Sequence, residues 1–223
     1  MIKNRTIQLI FYTIYCTMGI IGSIACLGIF DNIAKFRWDF YVYFTNLSNF
    51  LCLGVSFAAL IQTIKKKEDS YVTATPLLKF IGMLGILLTF LVFNLVLAGA
   101  EGRDPQLNWR IGSILFHVVL PVMYIADWFL FYERKKSKWY YPIASIGFPL
   151  AYAIFLLIQA AILNFDSSIR HELSTTPLIY PYFFVNLETE KMRVLVWIAA
   201  LAVAFAAMGF AFYGLDRLIK SKK

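Results

Sequence analysis

Thr45, Asn94, His117 and Gln159 are polar side chains set inside long apolar runs. A hydroxyl, an imidazole and two amides are groups from which proton transfer and hydrogen-bonded recognition are built, and all are costly to place in lipid. A helical rise of about 1.5 Å per residue converts distance from the end of a run into depth. On that measure Thr45 and Gln159 lie about five residues inside their runs, and Asn94 and His117 about six. All four therefore fall roughly 8–10 Å below one face of the membrane. Ser48 and Asn49 follow Thr45 at i+3 and i+4, on the same side of its helix. Each residue alone has a structural explanation. A Thr bonds back to a carbonyl, an Asn ties helices together for about 0.6 kcal/mol, and a lone buried His is packing. Four helices contributing polar groups at one level argue as strongly for a cavity.

Two further residues carry specific expectations. Pro121 lacks the N–H that would bond the carbonyl four residues back, which is that of His117, so the helix should loosen beside the imidazole. Asp127 lies about 15 Å deeper than His117 and cannot orient its ring directly. Lys79, near the start of the third run, sits at a similar depth to Asp127. The spacing predicts a structural Asp127–Lys79 ion pair.

The elements that must position these groups are legible from composition. Of 223 residues 60% are hydrophobic and only 15% charged, too apolar for an ordinary soluble domain. Six stretches reach the roughly 20 apolar residues needed to cross a bilayer. The expected spans are 7–30, 40–64, 76–100, 111–132, 139–163 and 192–215, forming one domain over residues 1–223. Only the fourth contains a mid-span acid, Asp127. That acid costs about 2.5–3.5 kcal/mol, against roughly 4–7 kcal/mol returned by the Leu, Ile, Phe and Val around it, so the segment still inserts. The first run is too long for a cleavable signal and lacks an Ala-x-Ala exit, so it reads as the first helix. Cys16, Cys26 and Cys52 all lie in spans and read as packing residues, with no metal site or disulfide framework. The expected fold is all-α: a polytopic membrane protein of six transmembrane helices with both termini cytoplasmic.

The orientation comes from charge. The N-terminus, the segments around Lys65 and Arg134, and the C-terminus hold 14 of the 21 basic residues against 4 acids. The three opposite loops hold 7 basic and 8 acidic residues. The positive-inside rule places the basic set in the cytoplasm. This distribution explains the net charge of +8 by topology near anionic headgroups and gives no reason to invoke nucleic acid. The last external loop contains the aromatic run Thr176-Pro177-Leu178-Ile179-Tyr180-Pro181-Tyr182-Phe183-Phe184. It reads either as an interfacial aromatic belt, the reading slightly favoured, or as a re-entrant cap over a cavity. Ala199, Ala202, Ala206 and Gly209 should let the sixth helix pack closely.

Several short motifs point to a family. They are Tyr43-Phe44-Thr45-Asn46-Leu47-Ser48-Asn49, then Trp109 with His117-Val118-Val119-Leu120-Pro121 and Asp127-Trp128. Tyr141-Pro142 with Gly147 and Tyr152, and Tyr180-Pro181-Tyr182-Phe183, complete the set. In order along most of the chain, they resemble the six-helix family of the androgen-induced membrane hydrolases and the androgen-dependent TFPI-regulating protein, especially its bacterial branch. Animal members hydrolyse fatty acid esters of hydroxy fatty acids with an intramembrane threonine and a histidine. The resemblance puts these roles on Thr45 and His117 and supplies no acidic third member.

The implied mechanism is nucleophilic. His117 would take the proton of Thr45 as its hydroxyl attacks an ester carbonyl, then protonate the leaving alcohol. Asn49 or Asn94 could donate to the oxyanion or orient the ring. Arg110, Lys191 and Arg193 stand at the outer interface, where they could hold a lipid carboxylate, with snorkelling the favoured reading. The expected partners are membrane lipids or an acyl-chain substrate, with no cofactor and no metal, in a bacterial plasma membrane. A non-catalytic lipid binder and a small transporter are the competing readings. The transporter is disfavoured because the polar layer sits towards one face and no repeat is visible.

Overall fold

The computed structural model describes residues 1–28, 38–99, 105–165 and 179–219. Among these residues six helices are long and apolar enough to cross a membrane. We label them α1 (Arg5–Cys26), α2 (Phe44–Lys65), α3 (Pro76–Leu97), α4 (Ile111–Leu130), α5 (Tyr141–Phe165) and α6 (Arg193–Leu218).

Local chemistry sets their ends. The Asn4 side chain accepts from the Ile7 N–H at 3.0 Å and caps α1, while Gly28, at φ 81°, turns the chain away beyond it. Pro76 opens α3, where its missing N–H costs nothing. The expected start of the second span at residue 40 is corrected. Trp38–Val42 form a 3-10 turn and Tyr43 is extended, so the helix begins at Phe44. That places Thr45 in the first turn of α2, where backbone N–H groups have no partner within the helix. The third and fourth spans also end earlier than expected, at Leu97 and Leu130, and the fifth begins at Tyr141. Residues 29, 30 and 100, assigned to the first and third spans, lie outside the described residues.

α3 is the hub of the bundle, packing on α2, α4, α5 and α6, while α1 lies against α2 and α4. Helices α5 and α6 pair with each other. Small residues permit the closest approaches. A Cβ on Gly22 of α1 would fall 2.5 Å from the Phe116 ring of α4, and one on Gly209 of α6 would fall 3.0 Å from Pro142 Cα. Of the small residues expected to seat α6, Gly209 is buried, Ala202 and Ala206 are half-buried and Ala199 is exposed.

The first and last described residues lie at the same end of the bundle, which also carries the basic segments. Ile2 N–H donates to Leu130 O at 2.8 Å, and Arg5 N–H to Asp69 Oδ1 at 2.8 Å. The fully buried carboxylate of Asp216, near the end of α6, accepts from the Lys135 and Ser137 N–H groups, both at 3.1 Å. Arg134 folds inward, its guanidinium 4.1 Å from the Trp128 ring centroid. The opposite end is built from 38–43, 105–110 and 179–192.

Candidate functional site

The polar groups placed by depth separate into two regions that differ in kind. Lys79 Nζ lies 2.9 Å from Asp127 Oδ1, with both side chains 2% exposed. The Tyr12 hydroxyl donates to the same oxygen at 2.6 Å, and Lys79 Nζ contacts that hydroxyl at 3.3 Å. A buried carboxylate with a cation and a phenol on it is charge-balanced and hydrogen-bonded, which is what keeps an ionised pair tolerable in a low dielectric.

At the other end the helices themselves are irregular. α3 widens into one π-turn over Phe93–Leu97, with Ala98 N–H reaching back five residues to Phe93 O at 2.8 Å. α4 does the same over Leu115–Val119, where Leu120 N–H bonds Leu115 O. Pro121 accounts for the second. It is the residue four beyond His117 and five beyond Phe116, so neither the α nor the π register gives both carbonyls an N–H. Each is capped by an asparagine from a neighbouring helix. Asn49 Nδ2 donates to Phe116 O at 3.0 Å, and Asn94 Nδ2 to His117 O at 3.1 Å. Their second amide protons go to Thr45 O at 2.8 Å and Phe90 O at 2.8 Å.

These bonds correct one expectation. Both Nδ2 protons of Asn49 and of Asn94 are held by backbone carbonyls, so neither amide is available to an oxyanion. Both amides bond backbone carbonyls on either side of the pair, and neither touches the imidazole ring. Asn49 clamps the Thr45 backbone to the turn that carries His117, and Asn94, itself exposed, holds the His117 carbonyl from α3. Ser48 adds to this, donating to Thr45 O at 3.0 Å and bonding Thr89 Oγ1 at 2.8 Å.

Thr45 and His117 line one cavity of about 660 Å³, whose wall also includes Tyr43, Arg110, Ser113 and Tyr182. A second, narrow cavity of about 90 Å³ runs between α3, α5 and α6, lined by Leu88, Val92, Leu150 and Leu201 among others. Thr45, Phe93, Leu97 and Tyr182 border both spaces. A polar vestibule and an apolar slot therefore share a wall at the threonine.

The histidine is oriented as well as placed. Its Nδ1 lies 2.9 Å from Ser113 O and 3.3 Å from Ser113 Oγ. A carbonyl can only accept, so Nδ1 carries the proton in the neutral ring and Nε2 is the basic nitrogen. The ring lies flat on Phe93, with centroids 3.5 Å apart and an interplanar angle of 13°. Stacking on Phe93 in the π-turn of α3 and the bond to Ser113, one turn earlier in α4, fix the plane of the ring.

The aromatic run forms a cap, which corrects the slightly favoured belt. Ile179 and Val185 are buried, and Tyr180, Pro181, Tyr182 and Phe184 are half-buried. Pro181 and Tyr182 border the vestibule, and Tyr182 and Phe184 the slot. The Tyr182 hydroxyl accepts from Phe44 N–H at 3.2 Å, and Tyr182 shares both cavity walls with Thr45, the next residue along. Burial pushes this phenol above its ordinary range. Residues 176–178 of the run lie outside the described residues.

The remaining expectations separate. Arg110 lines the vestibule, whereas Lys191 and Arg193 are exposed and absent from its wall. Both sit at the turn leading into α6, with Lys191 at φ 49°, so of the three only Arg110 borders the vestibule. Gln159 is half-buried on α5 and does not reach either cavity wall. Sequence reasoning did not single out Tyr182 or Ser113. Tyr182 stood within a quoted motif, and Ser113 precedes His117 by one helical turn, a spacing that signals contact. No family model, curated protein or solved structure matches this chain.

Proposed function

We propose that the protein is an integral membrane lipid-ester hydrolase with Thr45 as nucleophile and His117 as general base. One observation carries this: Thr45 stands on the wall shared by a polar vestibule and an apolar slot, and an oriented imidazole faces the same vestibule. An ester has the matching shape, with an acyl chain for the slot and a polar remainder for the vestibule.

The chemistry balances without an added redox or metal partner. Thr45 Oγ1 bonds the ester carbonyl carbon while its proton passes to His117 Nε2 and the carbonyl electron pair moves onto oxygen. The C=O bond re-forms, the ester C–O bond breaks, and His117 gives its proton to the departing alcohol. Water then repeats the sequence on the acyl-threonine, releasing the acid and returning the proton to Thr45. Fatty acid esters of hydroxy fatty acids are the substrates suggested by the motif resemblance, and Arg110 is the group on the vestibule wall suited to their carboxylate. The charge distribution supports a plasma-membrane protein with the basic end cytoplasmic and the cavity opening to the outer leaflet.

A fluorophosphonate probe tests the reading directly. The purified protein should be labelled, and Thr45→Ala and His117→Ala should lose labelling and ester turnover. Equal labelling of the variants would remove this site. Co-purified lipid without turnover would select the non-catalytic binder, which the apolar slot also suits.

A further inference from the structure

The hydrolase reading leaves a gap, since both candidate amide donors are committed to backbone carbonyls. Something else must face the oxygen that becomes negative. We propose that Tyr182 is that group: its hydroxyl aligns Thr45 Oγ1 and donates to the carbonyl oxygen as Thr45 attacks. The proposal rests on the hydrolase reading and adds a residue to it.

The geometry is built from three sides. The Tyr182 oxygen is anchored by the Phe44 N–H at 3.2 Å, one of the amides left without a helical partner at the start of α2. Because that bond uses the oxygen as acceptor, the O–H proton is the part left to donate. The ring is held by a parallel stack on Phe184, with centroids 5.1 Å apart and 6° between planes, and by an edge contact with Tyr43 at 6.4 Å. Tyr152 borders the same slot, and its own proton is donated to Val42 O at 2.6 Å. The Tyr182 phenol proton is not drawn into the Phe44 bond, and it can turn towards Thr45, with which Tyr182 shares both cavity walls, or towards an ester carbonyl that enters beside Thr45. A donor held in place before the reaction, in an enclosed site, is the kind of group that stabilises a developing oxyanion.

A purely structural role for Tyr182 makes a different prediction. If the hydroxyl only tethers the cap, losing it would loosen the cavity wall, raise KM and lower thermal stability while leaving kcat alone. As an oxyanion donor its loss should lower kcat about 10²-fold with KM within about twofold.

The experiment is Tyr182→Phe in the full-length protein in lipid nanodiscs, with an ester of a long-chain acid as substrate. Measurements are kcat, KM, thermal midpoint and the rate of fluorophosphonate labelling. A kcat loss of about 10²-fold at unchanged KM and midpoint, with labelling slowed in parallel, supports the assignment. Unchanged kcat, or a change confined to KM, overturns it. If Tyr182→Phe does not fold, 3,5-difluorotyrosine at position 182 keeps the size while making the phenol more acidic. An altered kcat with its alkaline limb moved to lower pH supports the proposal, and wild-type rates overturn it. The parent reading fails separately: wild-type protein inert to both substrate and probe removes the hydrolase and this inference together, whereas active wild type with an unaffected Tyr182→Phe removes only the inference.

Discussion

The polar groups around Asp127 and those around Thr45 are both enclosed by apolar helices, yet they are assembled in opposite ways. At Asp127 the side chains satisfy one another: a lysine and a tyrosine converge on one carboxylate oxygen inside regular helices. At Thr45 the neighbouring polar side chains are spent on the backbone of α2 and of the two distorted helices α3 and α4, and the threonine and the histidine border the same cavity. The first arrangement binds helices together. The second holds reactive groups still, and π-turns recur at such sites because they displace side chains from the regular helical course.

If that contrast is right, mutation should separate activity from stability. Thr45→Ala and His117→Ala should lower ester turnover at least about 10³-fold, as expected when a nucleophile or its base is removed. Neither should shift the thermal midpoint appreciably, because both side chains border cavities. Turnover assays with thermal unfolding in detergent check this; a collapse in stability matching the loss of activity would erase the distinction.

The reverse pattern is expected at the other cluster. Lys79→Met leaves Asp127 buried without its cation and should cost about 3–5 kcal/mol. The charge-swapped pair Lys79→Asp with Asp127→Lys should recover much of that loss, and folded protein should turn over ester at the wild-type rate. A double-mutant cycle on unfolding measures the coupling, and independent, additive damage would reject the pair.

These two clusters also mark what could be read in the sequence. The six spans were visible because lipid excludes charge, and a soluble fold seldom needs charge-free runs of that length. The Lys79–Asp127 contact followed from depth alone, since a buried charge at a given level must find an opposite one. Depth gives level but not rotation about the helix axis. Asn94 sits at the depth of His117 as expected, yet it is exposed and donates to backbone carbonyls of α4 and of its own helix. Pro121 announced an exposed carbonyl; that a π-turn would free a second one, and that two asparagines would take them, depended on helix contacts that no local pattern encodes. Tyr182 was hidden for a related reason. Its partner Phe44 is 138 residues away, and an aromatic, proline-punctuated run has the same composition as a belt or as a cap.

Between the two extremes lies Asn49, which joins the regular and the distorted parts of the bundle. Asn49→Leu removes two bonds to buried carbonyls, of Thr45 and Phe116, and should cost about 1–3 kcal/mol in stability. It should also lower kcat, because those carbonyls belong to Thr45 and to the residue preceding His117. Asn49→Asp tests the direction of the bonds: a carboxylate facing two carbonyls should be worse than leucine. If aspartate is tolerated, the amide does not donate as described.

Asn94 should give the smallest effect and the finest test. It is exposed, and in lipid a single interhelical hydrogen bond is worth about 0.6 kcal/mol, so Asn94→Leu should barely move the thermal midpoint. The carbonyl it releases is that of His117, whose α-register N–H donor is missing because of Pro121. Turnover should therefore fall a few-fold through loosening of the imidazole. Pro121→Ala supplies the compensating change: with an N–H restored at position 121, His117 O has a partner within α4 and no longer depends on α3. In the Pro121→Ala background, Asn94→Leu should cost less activity than in the wild type. Equal costs in both backgrounds would mean that the asparagine does not act through that carbonyl, and that the distortion of α4 and the orientation of its histidine are unrelated.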